Sequence, residues 1–434
     1  MEVMYARCAG IDVHKQNVKV NVRVTEGGGV KQETRTFGTM TRELVELGEW
    51  LEGWGVTHVA MESTGVYWKP LYNLLEGRFE VLICNAQHVK QVPGRKTDVR
   101  DCQWLAQLLQ HGLLRGSFIP PRPHRELRDL TRHRTQVTAE RARVVNRMQK
   151  VLEDGNIKLS AVAADIMGAS GQAMITAIIG GEDDAGVLAE KARRRLRRKL
   201  PELRMALEGK VTDHHRFMLG MLYRHWQYLG EVLAELTARI ETVLRSDELS
   251  GEREGEGGIM GFTEAVELLV SVPGIDVRSA EAIVAEIGTD MSQFPTAGHL
   301  ASWAGVCPGN NESAGKRRTG KTTKGNRWLR GTLTQVAWAA SRTRNTYLSE
   351  QHRRLARRRG KKRAQVALAH SILATIYQLP SKASCIAWPS RLDRAPRKSR
   401  VNSYLRSRIV ALAHWLGFRV PFAEARFPHH GLTS

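Results

Sequence analysis

The feature that most constrains this chain is a period-two run of valines near its start, closed by three glycines. From Cys8 to Val24 apolar residues alternate, and Val18, Val20, Val22 and Val24 fall on one face. Successive strand side chains point to opposite faces, so the run predicts a strand with one buried side. Gly27-Gly28-Gly29 supplies a turn, and Val30 to Phe37 reads as the returning strand. Thr41 is placed to cap a helix whose apolar stripe is Leu44, Val45, Leu47, Trp50 and Leu51. His58 to Met61 reads as a short buried strand, Val66 to Leu75 as a helix, Phe79 to Cys84 as a strand and Cys102 to Leu109 as a helix. The order β-β-α-β-α-β-α predicts an α/β domain over 1–125, a mixed sheet flanked by helices.

The pattern then changes. Residues 126–247 read as long helices or a coiled coil, heavily charged, with the run Arg193-Arg194-Arg195-Leu196-Arg197-Arg198-Lys199 inside Leu188 to Leu207. Arg216 to Leu244 carries Met218, Met221, Leu222, Leu229, Leu233, Leu236 and Ile240 at helical spacing. The arginines of Glu126 to Lys150 and of the 193–199 run are read as backbone-phosphate contacts, against the plainer reading of solvated helix faces. A Gly/Glu-rich stretch, 248–261, reads as a flexible linker. A second compact domain, mainly α, spans 262–378, with a Gly/Lys-rich loop at 309–326. Residues 379–434 form an atypical basic tail with one short amphipathic piece, Tyr404 to Phe418.

Charge narrows the partner. Lys and Arg number 66 against 44 Asp and Glu, a net charge of +22. That excess favours a polyanion, and a phosphate backbone is the commonest one. The five cysteines, Cys8, Cys84, Cys102, Cys307 and Cys385, are scattered without a CxxC pair, which argues against a disulfide framework or a zinc site and fits a reducing, cytoplasmic setting. No apolar run approaches the roughly 20 residues that span a bilayer, and Met1 to Asp12 has no signal-peptide pattern.

Four acids stand at the ends of predicted elements. Asp12 lies in the first strand, Glu62 follows Val59-Ala60-Met61, and Asp98 and Asp101 sit three apart at a helix start, on one helix face. A charge in an apolar strand is costly without a partner. Carboxylates converging on Mg²⁺, which prefers oxygen ligands, would supply one. Paired ions of this kind assist phosphodiester chemistry. Singly, each acid also has an ordinary role: a cap at Asp98, a dipole partner at Asp101, a strand end at Asp12, a salt bridge at Glu62.

Three segments carry a family resemblance: Gly10-Ile11-Asp12-Val13-His14-Lys15, Met61-Glu62-Ser63-Thr64-Gly65-Val66-Tyr67 and Lys96-Thr97-Asp98-Val99-Arg100-Asp101. They resemble the DEDD motifs of IS110-family transposases, and Asn85-Ala86-Gln87-His88-Val89 matches that family's Asn-led stretch. The resemblance implies a RuvC-like, RNase H-type first domain with Asp12, Glu62, Asp98 and Asp101 as its metal-binding acids. It covers roughly residues 8–378 and fades after Ile376-Tyr377. A frameshifted or fused end would account for the tail.

In the second domain, Ser271-Val272-Pro273-Gly274-Ile275 through Glu286-Ile287-Gly288 looks like a helix-hairpin-helix, whose helix start suits a phosphate. Asp276 replaces its usual second glycine; a plain αα-hairpin is the alternative. Trp303 to Gly315 follows, then Lys316, Arg317, Arg318, Lys321, Lys324 and Arg327. These cations are the candidate nucleic-acid contacts. A serine among small neighbours and cations can reach a phosphorus atom, with the developing charge stabilised around it. From the residues alone, a basic loop that only grips DNA, with Ser313 incidental, is an equal reading. This block and Gly325-Asn326-Arg327-Trp328-Leu329-Arg330 are similar to the family's C-terminal transposase domain, which implies that Ser313 is a nucleophile forming a phosphoserine with DNA. Ser302 and Thr319 are the weaker candidates. Gly315 to Thr322 also fits the GxxxxGK[ST] spacing, but a phosphate-binding loop needs a buried strand before it and a helix after it, and neither is expected here. The basic run Arg353 to Lys362 is read as a further nucleic-acid contact.

The expected function is therefore a DNA transposase or recombinase that cuts and rejoins donor and target DNA through a serine assisted by Mg²⁺-binding carboxylates. The resemblance further implies a guide (bridge) RNA and a homo-oligomer, dimer or tetramer, whose two domains come from different subunits. Two rivals differ in class: a metal-dependent nuclease or junction resolvase without serine chemistry, and a non-catalytic nucleic-acid-binding protein.

Overall fold

The computed structural model describes residues 2–63, 65–85, 101–114, 116–246, 249, 260–308, 311–313, 316–322 and 324–378. Asp98, most of the 248–261 linker, Cys385 and the 379–434 tail lie outside them. The described chain divides into two units, at Arg122 and Pro123.

The first unit is built on a six-stranded mixed sheet of order β3-β2-β1-β4-β5-β6. Its strands are β1 (Arg7–Val13), β2 (Asn17–Glu26), β3 (Gly29–Gly38), β4 (His58–Glu62), β5 (Glu80–Cys84) and β6 (Gly116–Ser117). β1, β2 and β3 form an antiparallel meander, β4 and β5 add in parallel to β1, and β6 is antiparallel at the far edge. The helices are α1 (Thr41–Gly53), α2 (Trp68–Leu75) and α3 (Asp101–Gln110). One sheet face buries Ile11, the β2 valines and Met61 with Leu44, Leu47, Leu51, Leu71 and Leu75 of α1 and α2. The other buries Cys8, Ala60 and Cys84 with Leu105, Leu108 and Leu109 of α3.

Two local expectations are corrected. Cys8 to Val24 is not one strand but two, joined by a tight turn in which the His14 backbone N–H donates to the Asn17 carbonyl at 2.9 Å. His14-Lys15-Gln16 turns the chain without glycine or proline, and the buried apolar positions change phase across it, from Ala9, Ile11 and Val13 to Val18, Val20, Val22 and Val24. Thr41 is not the cap of α1: it is the first helical residue, and the Glu43 carboxylate instead accepts the Met40 backbone N–H at 3.2 Å.

Among its described residues the second unit is helical apart from one hairpin. α4 (Arg122–Asp154) is 33 residues, about 50 Å long. Its first half packs into one core, around Leu127, and its second half into another, through Val137, Val144, Met148 and Leu152. The second core is completed by α5 (Leu159–Val162), α6 (Ala169–Ile179), α7 (Ala185–Glu190), a 3-10 helix (Arg194–Lys199), α8 (Leu200–Leu207) and α9 (Asp213–Leu244). The segment from Leu188 to Leu207 is thus not a long helix: its arginines ride on a 3-10 turn, where neighbouring like charges are spread around the axis. The first core is completed by the end of α9 and by α10 (Phe262–Val270), α11 (Val277–Ile287), α12 (Ala297–Trp303), α13 (Arg327–Arg342), α14 (Tyr347–Arg359) and α15 (Lys361–Gln378). Within the expected 309–326 loop, β7 (Asn311–Ser313) and β8 (Lys316–Thr319) pair antiparallel.

Candidate active site and nucleic-acid surface

The acid site follows from strand register. β1 and β4 run in parallel with Gly10 opposite Ala60 and Ile11 opposite Met61. One step further, Asp12 and Glu62 stand at the same level at the carboxyl ends of adjacent strands. Side chains alternate faces, so both share the face of Gly10 and Ala60, the face that α3 covers. α3 begins with Asp101. The helix lies close because position 10 has no side chain: a Cβ there would sit 2.2 Å from the Cys102 carbonyl oxygen and 2.3 Å from the Ala106 backbone nitrogen. Glycine is required by the approach of two backbones.

Electrostatics places the acids on this face as well. Burial pushes the Cys84 thiol up to about 11, with the Glu62 charge adding in the same direction. Burial likewise pushes Cys102 up, and Asp12 adds to it. Cys8, Cys84 and Cys102 are buried free thiols, and Cys307 is free and half-buried.

Two basic residues not expected from the sequence, His14 and Lys19, sit beside Asp12. His14 Nε2 is 3.0 Å from Asp12 Oδ2. Lys19 is directly opposite Asp12 across the β1–β2 hairpin. Directly opposed side chains have Cβ atoms about 5 Å apart. The missed signal was the turn at 14–16, which folds Lys19 back onto Asp12. A cavity of about 230 Å³ on the α1–α2 side, lined among others by His14, Lys15, Val18, Leu44, Tyr67 and Leu71, meets this end of the sheet at His14.

Among the described residues, no three His, Cys, Asp or Glu side chains are gathered closely enough to hold a metal ion. Asp12, Glu62 and Asp101 lie at one end of one sheet face, and Asp98 is outside the described residues. The donor set is all carboxylate oxygen, which fits a hard divalent cation rather than a soft one.

In the second unit, Ser313 ends β7 and pairs with Lys316, the first residue of β8, with Glu312 opposite Arg317. Ser313 and Lys316 are therefore the innermost pair of these two strands, and Arg318 and Thr319 belong to the return strand. The hairpin base is pinned. A Pro308–Thr322 bridge extends it, the Asn326 backbone N–H donates to the Trp303 carbonyl, and a Cβ at Gly325 would be 2.2 Å from the Gly305 nitrogen. Ser302, by contrast, lies in α12. Of the GxxxxGK[ST] spacing, Lys316–Thr319 form a strand, and the next helix starts only at Arg327, so Lys321 and Thr322 do not open a helix as a phosphate-binding loop requires.

Behind the hairpin lies a buried polar network. Glu286 of α11, 3% exposed, accepts from Arg132 Nε at 2.6 Å and Nη2 at 2.8 Å, with Arg128 at 3.8 Å. The Asn326 side-chain amide donates to the same carboxylate at 2.5 Å, while its oxygen caps α13 by accepting the Trp328 and Leu329 N–H groups. Arg134 pairs with buried Glu281 at 2.6 Å. Arg141 stacks on Trp226, 4.0 Å from the ring centre. This corrects the reading of the Glu126 to Lys150 arginines: Arg128, Arg132, Arg134 and Arg141 are spent inside the protein, and Arg143, Arg147 and Lys150 remain exposed.

The 271–288 segment is an αα-hairpin, α10 to α11, turned at Gly274, whose φ is +92°. Its helix start is not an open anion site. Asp276 caps α11, its carboxylate accepting the Ser279 N–H at 2.8 Å, so one donor is used and a negative charge stands where a phosphate would come.

Of the expected nucleic-acid contacts, Lys321, Lys324 and Arg327 are exposed, and Lys316, Arg317 and Arg318 lie on β8. An open-sided groove of about 660 Å³ next to the hairpin is lined by Lys324, Arg327, Arg330, Gly331, Thr334 and Gln335. Arg330 was not among the expected contacts. No helix among the described residues is long and apolar enough to cross a membrane.

Fold and site together define a class: a RuvC-like carboxylate domain followed by a helical domain with a basic, serine-bearing hairpin. Two family models match in that order, one for a DEDD transposase of the IS110 type over residues 9–157 and one described as transposase, IS116/IS110/IS902 family, over 266–353. Together they cover more than half of the chain, which belongs to the IS110/IS116/IS902 transposase family. One relative, an insertion element IS110 uncharacterized 43.6 kDa protein of Streptomyces coelicolor, is 37% identical over 106 residues, 23% of this chain and 24% of the relative. Another, an insertion element IS116 uncharacterized 44.8 kDa protein of Streptomyces clavuligerus, is 27% identical over 273 residues, 58% of this chain. The matched segments span about a quarter and 65% of these curated relatives.

Proposed function

We propose that this chain cuts and rejoins DNA for an insertion element, with Asp12, Glu62, Asp98 and Asp101 as the acids of one half-reaction and Ser313 as its nucleophile. The observation that carries the reading is the register that levels Asp12 with Glu62 under a helix headed by Asp101. Such a set of oxygens suits Mg²⁺, which when bound would neutralise charge on the reacting phosphate.

The protein's own groups do the rest. Ser313 Oγ gives up its proton and forms a bond to phosphorus as the bond to one sugar oxygen breaks; that oxygen takes up a proton and leaves as a hydroxyl, so no net proton is gained or lost. The ester energy stays in the phosphoserine, so an incoming sugar hydroxyl reverses the step without ATP. Lys316, Arg317, Arg318, Lys321, Lys324 and Arg327 would hold phosphates and offset the charge that develops. His14 would orient the Asp12 carboxylate through their 3.0 Å contact. The proposed organisation is a carboxylate domain at 1–125, a helical region at 126–247, a linker at 248–261, a serine domain at 262–378 and a tail at 379–434. Donor and target DNA, a guide RNA and a second copy of the chain are the proposed partners, acting in the cytoplasm.

The test is to trap the full chain on nicked DNA and map the modified residue. Covalent phosphate on Ser313, lost in Ser313→Ala and retained in Ser302→Ala, is the expected result. Strand joining that survives Ser313→Ala overturns serine chemistry in favour of a metal-only nuclease. Normal transposition by Asp12→Ala or Glu62→Ala overturns the acid site.

A further inference from the structure

The exposed side of α13 has features that its own packing does not explain. Along one face run Arg327, Gly331, Thr334, Gln335, Trp338 and Arg342, all exposed. The helix Arg327–Arg342 contains no acidic residue. Trp338 is 55% exposed, although the Arg342 guanidinium already lies 3.5 Å from its ring centre. Trp338 is thus an exposed aromatic side chain beside a cation.

Gly331 is the second observation. It sits in the second turn of α13 and lines the groove together with Arg330 and Thr334, and a Cβ there would meet no atom within 4 Å. Glycine is the poorest helix former after proline. Neither packing nor backbone conformation requires it, so the missing side chain leaves room for something outside the protein.

We propose that this face is a track for unpaired nucleic acid: phosphates held by Lys324, Arg327 and Arg330, backbone passing over Gly331, and one unstacked base lying on the Trp338–Arg342 platform. The span from Arg327 to Trp338 is about 16 Å, enough for a few nucleotides. Duplex bases are stacked on each other and have no free face to offer; an aromatic platform next to a basic groove selects single strands. The inference rests on the nucleic-acid reading of this domain and names the form of nucleic acid it takes.

The experiment measures binding of the full-length Ser313→Ala chain to short labelled single strands, of DNA and separately of RNA, and to the matching duplex. Trp338→Ala should weaken single-strand binding about tenfold or more, Trp338→Phe should restore most of it, and duplex binding should change little. Gly331→Ala should raise the melting temperature by about 2 °C while weakening single-strand binding, a pairing that a merely structural glycine would not give. Phe217→Ala, an exposed aromatic on α9, serves as the unaffected control. The DNA and RNA arms tell which strand occupies the track. Single-strand binding unchanged in both Trp338→Ala and Gly331→Ala overturns the proposal, as does an equal loss for the duplex. A chain that binds no nucleic acid overturns the broader reading with it, whereas loss of strand joining alone leaves the track standing.

Discussion

At Gly10 a single hydrogen in place of a methyl group decides whether α3 can lie over the acid-bearing strands. Gly10→Ala would press a Cβ to 2.2 Å from a backbone carbonyl, and backbone cannot swing aside as a side-chain end can. The expected cost is about 1–3 kcal/mol, read as a lower urea midpoint, with DNA strand joining falling further than the residual folded fraction explains because Asp101 moves with the helix. A Gly10→Ala chain of unchanged midpoint would contradict the close approach. His124 offers a second residue-scale test. Burial, then the nearby Arg128 charge, lowers it from 6.5 to about 4, and it is held neutral with Nε2 2.8 Å from the Ala285 carbonyl. The unfolded chain takes up this proton more readily than the folded one. The contribution is therefore full above about pH 6.5 and lost as pH falls towards about 4, by up to about 3 kcal/mol. Denaturant midpoints at pH 7 and pH 5 should differ more in the wild type than in His124→Gln; equal differences would remove His124 from the account.

The element that matters most for Ser313 is α13, because its cap residue Asn326 is tied to the hairpin base by its N–H bond to the Trp303 carbonyl. Its start is fixed by Asn326, which spends its oxygen on the helix cap and its amide on Glu286, and Glu286 is in turn held by Arg132 and Arg128 from α4. Removing the shared carboxylate leaves two guanidinium groups without their partner in a buried setting. Glu286→Ala is expected to destabilise the second unit by about 3–5 kcal/mol, visible as an earlier melting transition. Because the cap would lose its tether, phosphoserine formation should fall even at temperatures where the chain stays folded. Strand joining at wild-type rates by a folded Glu286→Ala chain would mean that the network is only structural.

For the whole molecule, the net charge of +22 supplies affinity for phosphate without sequence preference, and that affinity should fall steeply with added salt. The proposed homo-oligomer makes a sharper prediction. If acids and serine that act together come from different subunits, mixing Asp12→Asn and Ser313→Ala chains creates one complete set among the defective ones. Each variant alone should be inactive in transposition, and their co-expression should restore part of the activity. Two variants that stay inactive together would assign acids and serine to the same chain.

The sequence by itself determined what local periodicity and chemistry can carry: the sheet with its valine face, the acid-bearing strand ends at Asp12 and Glu62, the helix headed by Asp101, and the basic block around Ser313. It misread the turn at His14-Lys15-Gln16, because no glycine or proline marked it; the one trace is a change of phase, from Ala9, Ile11 and Val13 to Val18, Val20, Val22 and Val24. It also misassigned Arg128, Arg132 and Arg134, since an arginine run looks the same whether it meets phosphate or a buried carboxylate. Only the tertiary structure decided those points. Partners such as Glu286 and Glu281 lie about 150 residues away along the chain, and neither a cross-strand neighbour like Lys19 nor a helix-to-strand approach like that at Gly10 leaves a local signature. Spacing along a chain encodes which face a side chain takes; what stands opposite that face is fixed only when the elements pack.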